Sequence, residues 1–202
     1  MEQPDPRIDA ILDSVKATFA AKGFDGASMQ DLAQGAGMSA GNFYRYFRSK
    51  SALVEAMVER EIDCVRRRFA EVLEAGDPRA AFRALVQERL APDDLHGRLW
   101  AEIEAAAARR PEFATLIARM ESEVARNLLA VFARIAEVPA AEAEARYAAH
   151  AKLLLLLVQG VSMRCGARES DPALVALVLR LIDHTLGEIA AAPRPGLARS
   201  AS

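Results

Sequence analysis

An all-α protein follows from three features of this sequence. Apolar residues recur at spacings of three and four through nearly every segment, which is the period of one helix face. The pairs Asp5-Pro6, Asp77-Pro78 and Asp171-Pro172 punctuate those segments. In such a pair Asp accepts from the free N–H groups of a first helical turn, and Pro takes the position where its missing N–H costs nothing. Finally, no run alternates apolar and polar residues as a half-buried strand does, and no repeat occurs beyond alanine-rich helical stretches.

The first helix starts after Asp5-Pro6, with Ile8, Ile11, Leu12, Val15 and Phe19 on one face, and ends at Lys22-Gly23. Ser28 caps a short second helix. Asp31, three residues on, has capping-box spacing, with Asp as a shorter stand-in for Glu or Gln. Gly35 and Gly37 stop this helix, and Ser39 caps a third that runs through Asn42, Tyr44 and Arg45. Two short helices around a glycine turn form a helix-turn-helix. Ala33 lets the two backbones approach, while Leu32, Met38, Phe43 and Phe47 fill the space between them. From Ser49 a longer helix carries Leu53, Val54, Val58, Ile62, Val65, Phe69 and Val72 toward Gly76. Further helices are expected from Pro78 to Leu90, Pro92 to Arg109, Pro111 to Glu137, Pro139 to about Cys165 and Pro172 to about Ala191. The closing PRPGLARSAS has no periodic apolar face and is expected to be disordered. The expected organisation is a helix-turn-helix domain over 1–50, a helical bundle over 51–192 and a tail over 193–202.

Charge supports a nucleic-acid role locally. Between Asp31 and Glu55 there is no Asp or Glu, while Arg45, Arg48 and Lys50 are present, the kind of surface that phosphates require. The first sixty residues carry seven cations against eight acids, and the whole chain has a net charge of −2, which argues against a generic polyanion binder. At the start of the third helix, Ser39, Ala40, Gly41 and Asn42 have short side chains that allow close approach to base edges, and Asn pairs bidentately with adenine. Asn42 is the candidate for direct readout. Arg45 and Arg48 reach phosphate or a base edge, or form a solvated cationic face. Phe43 and Phe47 occupy the inward spacing, so Tyr44 is expected to point outward.

Other chemistries find little support. His96, His150 and His184 are scattered, with no ligand at metal-binding spacing, so no metal or cofactor is expected. Gly35 to Gly41 resembles GxGxxG only until its third glycine, which falls one residue late with no strand before it. No GxSxG or phosphate loop occurs, and the protein is not expected to be an enzyme. Cys64 and Cys165 are isolated and read as buried thiols in a reducing compartment. The acidic start has no apolar leader segment, and the longest apolar run, Leu153 to Val158, is far short of the ~18 residues of a membrane span. A cytoplasmic protein with no membrane partner is expected. The last two helices are apolar most of the way around: Leu153 to Val158 and Val161 on one, Leu174, Val175, Leu177, Val178, Leu181, Ile182, Leu186 and Ile189 on the other. Such surface needs a second layer to cover it, unless both helices are simply core.

The N-terminal quarter resembles the tetracycline-repressor (TetR) type of bacterial transcriptional regulators. The resemblance is carried without a gap by Ser28, Leu32-Ala33, Ala36-Gly37-Met38-Ser39, Gly41-Asn42-Phe43-Tyr44, Tyr46-Phe47, Ser49-Lys50 and Leu53. Met38 replaces the commoner Val, and the start MEQPDP lacks the basic arm that some members carry. The resemblance implies that Tyr44, Tyr46 and Lys50 contact the DNA backbone and that the cap Ser28 also meets phosphate. It implies a homodimer through the last two helices, with Leu153, Leu157, Val161, Leu174, Leu177 and Leu181 at the interface. Two-fold symmetry then places two reading helices about 34–36 Å apart, or a small multiple of that, on a palindromic operator. It also implies an effector domain over 51–192 that holds a small molecule of unknown identity. Phe82, Leu99, Trp100, Ile103, Phe113, Leu116 and Met120 are its candidate lining, with Glu102 or Glu104 as partner for a cationic ligand. Repression rather than activation is implied in the same way. A helical adaptor that binds only protein is the alternative; it leaves the acid-free window without a role.

Overall fold

The computed structural model describes residues 6–91, 94–165 and 171–192. Among these residues the secondary structure is entirely helical: α1 (Pro6–Gly26), α2 (Met29–Gly35), α3 (Ala40–Tyr46), α4 (Lys50–Glu74), α5 (Pro78–Arg89), α6 (Asp94–Ala107), α7 (Pro111–Ala136), α8 (Ala140–Cys165) and α9 (Pro172–Ala191). Asp77 and Asp171 each accept from two backbone N–H groups of the turn that follows, at 3.0 and 3.1 Å. The Asp5 cap, the start of α6 at Pro92 and the tail 193–202 lie outside the described residues. No helix among the described residues is long and apolar enough to cross a membrane.

The chain divides into two compact units. The first gathers α1, α2, α3, α4 as far as Ile62, α6, and α7 as far as Met120. Its core contains Leu12, Val15, Phe19, Leu32, Phe43, Leu53, Val58 and Ile62, and from later in the chain Leu99, Trp100, Ile103 and Phe113. Within this unit α1 packs on α6 and α2, and α2 on α3. The α1 ladder breaks at Gly23, where φ is +71°, in the left-handed region that glycine tolerates. A Cβ there would also stand 2.9 Å from Glu102 Oε2. That carboxylate accepts from Phe24 N at 3.2 Å and so satisfies a donor at the break.

The second unit gathers the rest of α4, α5, the rest of α7, α8 as far as Ser162, and α9. Leu128, Val131, Phe132, Leu154, Val178, Ile182, Leu186 and Ile189 are buried in it, and α5 packs on α9. Glu123, only 7% exposed, is held by a two-pronged Arg66 contact at 2.9 and 3.1 Å. The Arg66 hydrogen bond is the largest influence on its carboxyl and holds the pKa below the usual value, against the opposing effect of burial.

One sequence expectation fails here. Cys64 is exposed, not buried. The buried stripe of α4 runs through Leu53, Val54, Met57, Val58, Ile62, Phe69 and Val72, and residue 64 falls off that stripe beside exposed Asp63, Arg66 and Arg67. Cys165's side chain lies outside the description. Ile8 departs in a smaller way, at 36% exposed on the face that buries Ile11, Leu12 and Val15.

Candidate nucleic-acid interface

Local chemistry builds the site in the first unit. Ser28 and Asp31 form a complete capping box: Asp31 N donates to Ser28 Oγ at 3.1 Å, and Ser28 N donates to Asp31 Oδ2 at 2.8 Å. The Ser28 hydroxyl donates to the same carboxylate at 2.6 Å, and Lys22 Nζ reaches its other oxygen at 2.6 Å. Asp31 is consequently held well below the ordinary carboxylate range, by the Lys22 hydrogen bond first and Ser28 next. After α2, Met38 N donates to Ala33 O at 2.9 Å and Gly37 N to Gln34 O at 3.0 Å, with Gly37 at φ +64°. This is a Schellman turn, which needs a left-handed residue at the position Gly37 fills. Ser39 Oγ then accepts from Asn42 N at the start of α3, at 3.4 Å.

The caps and the turn fix which face of α3 looks outward. Phe43 is fully buried and Phe47 is 6% exposed, whereas Tyr44 is 47% exposed, as the spacing predicts. Ser39, Ala40, Gly41, Arg45 and Arg48 are exposed as well, and Asn42 is half-buried. Among the described residues, Arg45 and Arg48 make no ion pair and the Asn42 amide makes no hydrogen bond. Half-buried Tyr46 lies under Arg7, whose guanidinium carbon is 6.0 Å from the ring centroid. Lys50 is already engaged: its ammonium donates to Phe24 O at 2.7 Å and Asp25 O at 3.2 Å, and stands 4.8 Å from the centre of the Phe24 ring. An ammonium has three protons, so one remains for a phosphate.

The other candidate residues are distributed less simply. Leu99, Trp100, Ile103 and Phe113 are buried in the first unit's core, with Leu116 and Met120 packed against it. Phe82 belongs to the second unit, 6.1 Å from Phe69 between ring centroids. Glu102 is taken up by Phe24 N. A cleft of about 130 Å³ on α4 and α5, lined by Arg68, Val72, Leu85 and Glu88 among others, includes none of the expected lining. It is small beside the ~300–1,000 Å³ of a usual ligand site. In the second unit Leu153, Leu177 and Leu181 are 60%, 44% and 46% exposed, Leu157 and Leu174 are half-buried, and Val161 is covered by its own chain at 7%. Leu156, which the sequence reading did not single out for the interface, is 55% exposed beside them. Also unforeseen is a cluster at the end of α1, where Asp25 takes Arg109 at 3.0 Å and Arg110 at 2.9 Å. The Arg-Arg pair is visible in the sequence; its partner 84 residues earlier is not.

Residues 11–57 match the family model described as "Bacterial regulatory proteins, tetR family". The HTH-type transcriptional repressor KstR2 of Mycolicibacterium smegmatis is 31% identical over 72 residues, which is 36% of this chain and 35% of that protein. The HTH-type transcriptional repressor NemR of Escherichia coli K12 is 39% identical over 56 residues, 28% of each chain. These matches therefore span about a third of the relatives' own length. Whole-fold likeness extends further: Salmonella enterica GusR superposes with a TM-score of 0.72 over 93% of this chain and 98% of its own, at 24% identity. The reduced form of E. coli NemR gives 0.68 over 89% and 97%, at 20% identity. With the capped helix pair and the exposed face of α3 in place, residues 11–57 form a helix-turn-helix segment similar to that of the tetR family of bacterial regulatory proteins, and the chain shares the fold of these solved structures.

Proposed function

We propose that this protein is a sequence-specific DNA-binding transcriptional regulator, a repressor that binds a palindromic operator as a homodimer and releases it in response to a small molecule. The observation that carries the reading is the outward face of α3, where Tyr44 and Arg45 are exposed on a helix free of carboxylates, with exposed Arg48 just beyond its end. Asn42 reads a base edge, while Tyr44, Tyr46, Lys50 and Ser28 bind the phosphate backbone. The four exposed leucines on α8 and α9 support a second copy as the covering layer. Repression is supported by the likeness to the transcriptional repressors KstR2 and NemR. An effector acts by binding more tightly to the arrangement that does not fit the operator, since only differential affinity moves such an equilibrium. Its lining is drawn from Leu99, Trp100, Ile103, Phe113, Leu116 and Met120, and ligand binding is read from Trp100 fluorescence.

The test is selection of duplexes from a random pool by the full chain, followed by anisotropy titration of the selected and a scrambled duplex. The expected result is an inverted-repeat sequence bound far more tightly than the scrambled one. Asn42→Ala should lower the preference at one base position by about 1–3 kcal/mol while leaving scrambled-duplex binding unchanged. No enrichment from the pool, together with no salt-dependent duplex binding, would remove the regulator reading.

A further inference from the structure

We propose that Arg109 and Arg110, in the turn between α6 and α7, form with Lys50 an accessory phosphate-binding surface that extends the DNA contact beyond the helix-turn-helix. The inference rests on the reading of this protein as a DNA-binding regulator. Three cations from distant parts of the sequence converge on Phe24 and Asp25. Arg109 Nη2 and Arg110 Nη2 take the two Asp25 oxygens at 3.0 and 2.9 Å. Arg110 lies over the Phe24 ring, its guanidinium carbon 5.0 Å from the centroid, and Lys50 Nζ is 4.8 Å from the same centroid. Phe24 and Asp25 immediately precede the turn into Ser28, the α2 cap, so these cations adjoin the proposed backbone-contacting residues Ser28 and Lys50.

Charge and exposure distinguish this cluster from a brace that merely holds the fold. Two guanidiniums share one carboxylate, so the turn keeps positive charge, and Lys50 adds to it. The side chains of Arg109 and Arg110 are 63% and 38% exposed. Exposed ion pairs contribute little to folding, and one arginine would suffice to close this one. Each guanidinium carries five N–H donors in a planar fork, and a single contact to Asp25 leaves most of them for phosphate oxygens. Asp25 is the internal competitor for the phosphate. The partner that fits is the duplex backbone flanking the bases that α3 reads, because the charges form a continuation of that surface rather than an enclosed anion pocket.

The experiment titrates the selected duplex and a scrambled duplex, both fluorescein-labelled, at several KCl concentrations with wild type, Arg109→Ala, the Arg109→Ala/Arg110→Ala pair, the corresponding Lys pair and Asp25→Asn. The Ala pair should weaken both duplexes alike and flatten the plot of log affinity against log salt by about 1–2 units, and the Lys pair should restore most of the slope. Among the described residues Arg109 stacks on no ring, so Arg109→Ala should stay folded and lose close to one unit. Asp25→Asn should tighten binding severalfold, a direction that a purely structural role does not produce. An unchanged slope in Arg109→Ala and the Ala pair, or weaker binding in Asp25→Asn, would overturn the proposal. If wild type binds neither duplex, the regulator reading itself fails; if wild type binds and the variants match it, only this inference fails.

Discussion

Helix α3 and the C-terminal pair α8 and α9 each expose what a self-sufficient monomer has little reason to expose, and they do so with opposite chemistry. On α3 and at its C-terminal end the aromatic rings that pack, Phe43 and Phe47, are inside, and what faces out is Tyr44 with Arg45 and Arg48. On α8 and α9 the outward residues are themselves apolar: Leu153, Leu156, Leu177 and Leu181 are between 44% and 60% exposed. A cationic face gains by releasing counterions from a polyanion, so its binding weakens steeply with salt. An apolar face gains by leaving water, so its association depends on concentration and hardly on salt. The two surfaces therefore predict two binding events with different responses to the same solution.

The sharpest way to break the comparison is to exchange inside for outside within α3. Phe43→Ala empties a fully buried site and should cost about 3–5 kcal/mol of stability, seen in denaturant melts, whereas Tyr44→Ala should leave the melt nearly unchanged and weaken DNA binding. Comparable melts for the two variants would remove the inward-outward distinction. On the other surface, Leu177→Glu combined with Leu181→Glu should raise the dimer dissociation constant at least about 100-fold in sedimentation, with little dependence on salt. A wild-type chain that stays monomeric at high concentration would remove the basis for a second copy. Smaller effects belong to the cations: Arg45→Ala and Arg48→Ala should each reduce the salt slope of DNA binding by about one unit if each holds a phosphate.

The smallest expected effect concerns acid. Asp31 has a depressed pKa, so its contribution to stability is present above the ordinary carboxyl value of 3.8 and is lost as pH falls below it. Thermal melts between pH 7 and pH 3 should show wild type more stable than Asp31→Asn at neutral pH, the difference shrinking on the acid side. A constant difference across that range would detach the capping box from Lys22 and Ser28.

What was legible in the sequence was legible because it is local. Ser28 with Asp31, Ser39 before Asn42, and Asp77 and Asp171 before proline each place a side-chain oxygen two or three residues from the N–H groups it accepts from, and all four caps form. The outward Tyr44 follows from the same short-range arithmetic between Phe43 and Phe47. Cys64 was misread because an isolated apolar-like residue on a helix carries no indication of its side until the stripe is fixed residue by residue. Composition likewise picks out Leu99, Trp100, Ile103 and Phe113 as large apolar residues, but not that they pack in one core with Phe19, Leu32 and Phe43, which depends on how the helices meet.

By itself, then, the sequence determined the helices, their caps, the glycine turn and the identity of the face that α3 turns outward, since each depends on neighbours within about one helical turn. Only the tertiary structure decided that Glu102 satisfies Phe24 N at the Gly23 break, that Lys50 is anchored on the carbonyls of Phe24 and Asp25, and that Arg109 and Arg110 meet Asp25. Those contacts join residues 25 to 85 positions apart. Their partners are selected by how whole helices pack, through an interior geometry that no local pattern encodes.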